Sequence, residues 1–588
     1  MNFLEKLNVE LDAVVENILK ENNITVVLNS EIHRPHDLSH GDLTSSVALK
    51  LTKAFKKSPM QIGEIIKEKC AGSAILSKYI QSIEIVLPGF INFTLHPEVK
   101  YEIIKEIMDS GEYFGCVGKK NEKVLLEFVS ANPTGPLHIG HARQAVLGES
   151  ICNLLKTQGY EVTKEFFYND AGNQIETLTQ SVKMRLDGFS PGDACWPLDG
   201  NFYNGEYIAD IADAYLRKET VIFDNANESV FVQSSGDISN LKNIKNFAVA
   251  YLRKEQNSDL ESIGVKFDNF YLESDLYKNG DVEKAVSGLI NSGHTKELDG
   301  ALWLNSTAFG DDKDRVMRKS GGGYTYFVPD VAYHVKKWNR GFTKAINIQG
   351  SDHHGTVARV RAGLQALDIG IPKNYPSYLL HTMVNVVKDG KQVKLSKRAG
   401  SYVTLSDIVE WTSADAVKFF LLSKKASTED TFDVDLAVKD NNENPVFYVQ
   451  YAHARIKTIL ARWSEEGGDF SALFDASGLK GLSFKELQSP LELKLLSMLE
   501  KYPFILAEAA KEMAPHGVVL YLRDLASMYH QYYGQERVFV DDKNIKDVRL
   551  VFSCAIAQVL ANGLGVLGVS APNSMLSKEK EMSLSVKP

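Results

Sequence analysis

Between residues 123 and 168 the chain reads strand, Pro/Gly turn, helix, strand, and few architectures accept that order. The run 123–130 (KVLLEFVS) is short and apolar, as a strand covered on both faces must be. Asn132, Pro133, Gly135 and Pro136 interrupt it. From His138 to Gln158 the pattern is helical, Gly159 stops it, and 161–168 (EVTKEFFY) reads as the next strand. A strand–helix–strand unit of this length predicts a parallel, doubly wound α/β sheet of Rossmann type. Strand-like runs recur at 345–348 and 383–387.

The other segments are arranged around this unit. A chain of 588 residues makes about three or four domains. Residues 1–115 mix an amphipathic helical pattern (Leu4 to Leu19) with a strand-like run at 83–95 broken by Pro88-Gly89, which predicts an N-terminal α+β domain. Residues 116–444 form the sheet domain, with a polar, helix-favouring insertion at about 175–320. At Asn444-Pro445 an N-cap and a first-turn proline open a helix with apolar residues at Val449, Ala452, Ile456, Leu460 and Trp463. Residues 445–588 are read as an all-α domain. The uncharged stretch between Arg549 and Lys578 holds Gln558, Asn562 and three glycines, and is read as a buried helix rather than a membrane span.

Composition excludes more than it identifies. Apolar residues are 44% and charged residues 24%, which rules out wholesale disorder and fibrous folds. Lys and Arg number 66 against 75 Asp and Glu, a net charge of −9. Such a field does not gather nucleic acid, so any nucleic-acid partner must be held by local patches such as Lys50, Lys53, Lys56 and Lys57. The five scattered cysteines form no CxxC pair, and the start lacks a signal-peptide apolar core. A reducing, cytoplasmic setting is the expectation.

Chemistry concentrates at two places. In the turn Pro133-Thr-Gly-Pro-Leu-His-Ile-Gly-His141, a helix begins just past the carboxyl end of a strand, where doubly wound sheets bind ligands and helix N–H groups attract phosphate. His138 and His141 share one helix face and can donate to phosphate oxygens, while Gly140 lets a flat base approach the backbone. As a metal pair they would lack further ligands, so no metal site is expected. In Val387-Lys-Asp-Gly-Lys-Gln-Val-Lys-Leu-Ser-Lys-Arg398, a hairpin turn at Asp389-Gly390 precedes Lys394 and Lys397, cations able to neutralise charge on departing pyrophosphate.

Together these motifs resemble the HIGH (His138-Ile-Gly-His141) and KMSKS (Lys394-Leu-Ser-Lys-Arg398) signatures of the class I aminoacyl-tRNA synthetases. The second departs at Leu395 and Arg398 but keeps both lysines. Ser130-Ala-Asn-Pro-Thr-Gly-Pro-Leu-His-Ile-Gly-His-Ala-Arg143 is similar to the arginyl branch, as are Phe267–Ser274, Gly323–Asp330 and Asn444–Arg455. The resemblance spans essentially the whole chain. It implies a Rossmann catalytic domain that activates L-arginine with ATP, accompanied by Mg²⁺, and transfers it to tRNA-Arg. It further implies an N-terminal domain on the tRNA, a helical anticodon-binding domain, a monomer, and no membrane partner. His138, His141, Lys394 and Lys397 would be catalytic. Pro136, Gly140, Gly350, Asp352 and His354 would hold ATP, the last three in Gln349-Gly-Ser-Asp-His-His354. Asn132, Glu273, Tyr326 and Asp330 would hold arginine. A planar guanidinium calls for carboxylates and an aromatic face, which Glu273, Asp330 and Tyr326 supply. Two alternatives are a small nucleotidyltransferase, which needs neither end domain, and a non-catalytic RNA-binding relative, which has no reason to keep the histidines and lysines.

Overall fold

The computed structural model describes residues 3–26, 31–33, 35, 41–170, 172–197, 202–226, 228–393, 403–475, 478–479 and 481–575. Contacts divide the chain into two units. One takes the described parts of Met1–Phe114, Arg455–Phe504 and Leu525–Leu560. The other takes those of Gly115–Ala454, Ile505–Asp524 and Ala561–Pro588.

In the first unit, the run expected at 83–95 folds back on itself. Ile80–Val86 and Phe90–Leu95 pair as a hairpin across Pro88-Gly89, and Leu43–Ser45 and Ile32–His33 extend the sheet antiparallel. Helices Phe3–Glu21 and Pro59–Cys70 contribute Leu7, Leu11, Ile62 and Ile66 to its core. Gln61 and Ser58 exchange the reciprocal bonds of a capping box that starts the second helix. The unit also contains Lys543–Leu560 of helix Lys543–Val566. That helix is long and apolar enough to cross a membrane, but Val548, Leu550, Val551, Phe552, Ala555 and Ile556 are buried in the protein.

The second unit is built on five parallel strands. Their order is Ser377–His381, Lys344–Gly350, Lys123–Glu127, Glu161–Tyr168, Asn269–Leu272. Val124, Leu125 and Leu126 are all buried, as expected for a strand with helices on both faces. Two expectations change. The insertion of about 175–320 is not one excursion, because the edge strand Asn269–Leu272 returns to the sheet within it. It is only four residues long, too short for its pattern to stand out from the polar helices around it. The run at 383–387 is not in the parallel sheet either. Val384–Lys388 pairs with Lys391–Gln392 and Asp430–Asp433 in a separate three-stranded sheet, and the fifth parallel strand is the preceding Ser377–His381.

The described cysteines form no disulfide. Cys70, Cys152 and Cys554 are at least partly buried, and burial pushes the Cys70 and Cys554 thiols up to about 12. Cys116 and Cys195 are exposed.

Candidate active site

Sheet order fixes where a ligand can sit. From Lys123–Glu127 the chain steps outward to Glu161–Tyr168 and Asn269–Leu272, then returns to Lys344–Gly350 on the other side of the first strand. The reversal opens a crevice at the carboxyl ends of Lys123–Glu127 and Lys344–Gly350. The segments leaving those ends are 128–141 and 350–354, which carry the histidine turn and the Gly-Ser-Asp-His-His run.

The turn is held from several sides. Val129 and Ser130 adopt φ of +65° and +41°, and for β-branched Val129 this is a strained backbone costing about 1–3 kcal/mol. Ser130 Oγ donates to Glu127 Oε1 at 3.1 Å and accepts the Phe167 N–H at 3.2 Å. Gln256, fully buried on helix Leu241–Ser262, donates Nε2–H to the carbonyls of Asn132 (3.1 Å) and Gly135 (2.9 Å). Tyr207 Oη donates to the Thr134 carbonyl at 2.8 Å. One turn beyond Gln256, Asp259 accepts the Leu137 N–H at 3.3 Å and the Ser406 hydroxyl at 2.6 Å. Burial pushes the Asp259 carboxyl up to about 6 against these hydrogen bonds, with Glu255 and Asp407 adding to the rise.

His138 is the N-cap of helix Ile139–Thr157. Its Nδ1 accepts the Gly140 N–H at 3.1 Å, and His141 Nδ1 accepts the His138 N–H at 3.3 Å. The rings stack at 3.8 Å between centroids, inclined by 22°. With Nδ1 acting as acceptor on both, each neutral ring carries its proton on Nε2. A Cβ on Gly140 would lie 3.0 Å from His138 Cε1, so this glycine leaves room for the ring as well as for a base. Pro136 is half-buried in the turn, and Asn132 Nδ2 donates to Gln174 Oε1 at 2.5 Å.

On the neighbouring strand, Gly350 pairs in register with His381. A Cβ on Gly350 would clash with Asp352 Oδ1, so glycine leaves room for that carboxylate at the strand end. Asp352 and His353 are exposed, 3.6 Å apart, and His354, also exposed, begins helix His354–Ala366.

The predicted arginine ligands gather beside this crevice. Glu273 opens helix Glu273–Lys278 directly after the edge strand and is 7% exposed. Burial pushes its carboxyl up to about 7, with Asp170 adding to the rise. Asp330 lies half-buried in the first turn of helix Phe327–Asn339. Burial pushes it too up to about 7, Glu127 and Glu273 push the same way, and Arg359 and Lys337 oppose. Among the described residues neither carboxylate is in an ion pair. Tyr326, just ahead of the helix, is 63% exposed. Tyr277 sits within electrostatic reach of Glu273, Tyr326 and Asp330. The helix beneath is fastened to the sheet: buried Lys337 pairs with Glu127 and donates to Asn347 Oδ1 at 3.1 Å, and Arg340 pairs with Glu165 at 2.6 Å.

Lys394 and Lys397 lie outside the described residues. The hairpin before them has Asp389 and Gly390 at φ of +53° and +67°, as a two-residue type I′ turn requires, and Asp435 accepts both of their N–H groups. On the far side, Thr404 bridges His138, and the Leu405 N–H donates to the Leu137 carbonyl at 2.9 Å.

Sequence reasoning passed over Gln256, Asp259, Glu127 and Lys337. The signal for the first two was present: Arg253, Gln256 and Asp259 are polar at three-residue spacing on a helix whose Phe247, Leu252 and Leu260 are apolar, and all three are buried. Among the described residues no group of three or more His, Cys, Asp or Glu side chains is placed to hold a metal ion.

Three family models match the chain: an arginyl tRNA synthetase N terminal domain at 5–95, a class I (R) tRNA synthetase catalytic domain at 103–441, and a DALR anticodon binding domain at 449–575. The chain is 55% identical over 547 residues to an arginine–tRNA ligase of Paracidovorax citrulli, covering 92% of this chain and 95% of that one. It is 56% identical to the arginine–tRNA ligase of Delftia acidovorans, over 92% and 94% of the two chains. The structure of the Thermus thermophilus arginyl-tRNA synthetase shares the fold, with a TM-score of 0.72 at 21% identity, covering 97% of this chain and 100% of that one.

Proposed function

The chain belongs to the arginyl-tRNA synthetases of class I, and from that membership we propose how the residues at the switch point divide the work of an arginine–tRNA ligase. The enzyme activates arginine with ATP and transfers it to tRNA. The single observation carrying the residue assignment is a pair of carboxylates, Glu273 and Asp330, which burial pushes up to about 7 beside a crevice, with neither in an ion pair among the described residues. A guanidinium is a permanent cation with planar donors, and it would both satisfy and ionise them. Tyr326 covers the cation's plane, and Asn132 faces the amino acid's amino and carboxyl end.

ATP lies along the two motif-bearing segments. His138 and His141 donate Nε2–H to its phosphates, Pro136 and Gly140 admit the nucleotide, and Gly350, Asp352 and His354 meet the ribose and base. The arginine carboxylate attacks the α-phosphorus. A bond forms from that carboxylate oxygen to phosphorus, the bond to the bridging oxygen of the β-phosphate breaks, and pyrophosphate leaves with the electron pair. Lys394 and Lys397 neutralise its developing charge. The terminal ribose hydroxyl of tRNA then attacks the arginyl carbonyl and AMP departs. No side chain acts as nucleophile, and the protein's contribution is alignment and charge stabilisation. The donor set suits Mg²⁺ carried in on ATP phosphates better than a resident ion, since among the described residues no group of three or more His, Cys, Asp or Glu side chains is placed to hold one. We read the enzyme as a cytoplasmic monomer without a membrane partner.

Pyrophosphate exchange over the twenty amino acids, with and without tRNA, tests the reading: exchange should occur with arginine alone. Asp330→Asn should raise the arginine KM thirtyfold or more, reflecting about 2–5 kcal/mol for breaking a desolvated charge pair, and leave the ATP KM nearly unchanged. Equal effects on both would reduce Asp330 to a helix-start residue. Exchange with other amino acids would overturn the pocket assignment.

A further inference from the structure

We propose that Asp259 is a positioning residue that holds the histidine turn and the chain following the lysine motif in one register. Its two carboxylate oxygens serve different partners. Oδ2 accepts the Leu137 N–H, one residue ahead of His138, and Oδ1 accepts the hydroxyl of Ser406. Those partners are already stitched together, because the Leu405 N–H donates to the Leu137 carbonyl and Thr404 bridges His138. Thr404 and Asp407 close a capping box that fixes the start of helix Leu405–Trp411. Asp259 is thus the third point of a junction whose other two are the helix start bearing His138 and His141 and the segment from Thr404, ten residues beyond Lys394 and seven beyond Lys397.

The side chain is 6% exposed on an insertion helix that takes no part in the parallel sheet. A helix needed only for packing would meet the turn with apolar residues; burying a carboxylate is costly unless its bonds do something apolar contacts cannot. These bonds orient two backbone segments at once. Reaction geometry is sensitive to such placement, since a shift of about 1 Å far from the reacting atoms can cost about a hundredfold in rate. Asparagine is the informative replacement: similar in size, it offers one acceptor oxygen and one donor NH₂, so it can serve only one of the two donors.

The proposal rests on His138 and His141 as phosphate ligands, so His138→Asn and His141→Asn are measured alongside. With the full-length enzyme, Asp259→Asn should lower kcat for arginine- and tRNA-dependent pyrophosphate exchange about ten- to a hundredfold. Arginine KM, arginine affinity by direct titration, and melting temperature should stay near wild type. Ser406→Ala should lower kcat less and add nothing on the Asp259→Asn background, because both remove the same link. An unchanged kcat in Asp259→Asn, or a parallel loss of arginine affinity and melting temperature, would overturn the role. Full activity in both histidine variants would instead overturn the phosphate assignment on which it rests.

Discussion

Under the proposed assignment of Glu273 and Asp330 to the guanidinium, arginine recognition is a proton-linked event. In an unfolded chain such carboxyls titrate near 4; in the fold burial moves both to about 7. A raised carboxyl pKa favours the protonated form, so the stability these groups contribute is full below about pH 4 and is lost as pH rises toward 7. Arginine needs the ionised form, so its affinity should fall as pH drops through about 7, and binding at about pH 6.5 should release protons. Calorimetry in buffers of different ionisation enthalpy reads that release directly; a proton count of zero would remove the pair from the guanidinium's contacts. Gly140→Ala belongs to the same scale. Its Cβ would press on the His138 ring, and we expect kcat to fall about ten- to a hundredfold with little change in melting temperature. The glycine and both histidines were legible in the sequence because the motif is contiguous. For Gln256 and Asp259 only the polar spacing on their helix was legible; what they hold was not, because their partners lie far away in the chain.

At the level of elements, helix Phe327–Asn339, which carries Asp330, packs Val328, Val331 and Ala332 into the core and is fastened to the sheet by Lys337 at Glu127 and Arg340 at Glu165. Lys337→Met strands a buried carboxylate and should destabilise the protein by about 3–5 kcal/mol, visible as a lower urea midpoint. Adding Glu127→Gln should restore most of the loss, and no restoration would show that the pair does not act as a unit. Helices declared themselves through caps and apolar spacing, as in Ile139–Thr157 and Pro445–Glu465. Strands did so less well. Ser377–His381 is short and only partly buried, while the neighbouring 383–387 run looked the better strand and pairs in a different sheet. Pairing partners of a strand are set by tertiary placement, which local pattern does not encode.

Over the whole molecule, a charge of −9 means that tRNA must be met by patches. Lys53, Lys56 and Lys57 remain exposed around helix Thr52–Phe55, while Lys50 reaches Glu31 at 3.5 Å. Changing Lys53, Lys56 and Lys57 to alanine together should raise the tRNA KM and flatten its dependence on salt, leaving the arginine KM alone; an unaltered salt slope would place the tRNA elsewhere. The order of strands carries one more consequence, for how the molecule is made. The crevice lies between Lys123–Glu127 and Lys344–Gly350, neighbours in the sheet but separated in the chain by two other strands of that sheet and all the elements between them. During synthesis the histidine turn leaves the ribosome long before the strand that completes its cleft. A nascent chain stopped before residue 344 has the motif without the crevice, and an enzyme that supplies translation with arginine gains this cleft only in the later half of being translated.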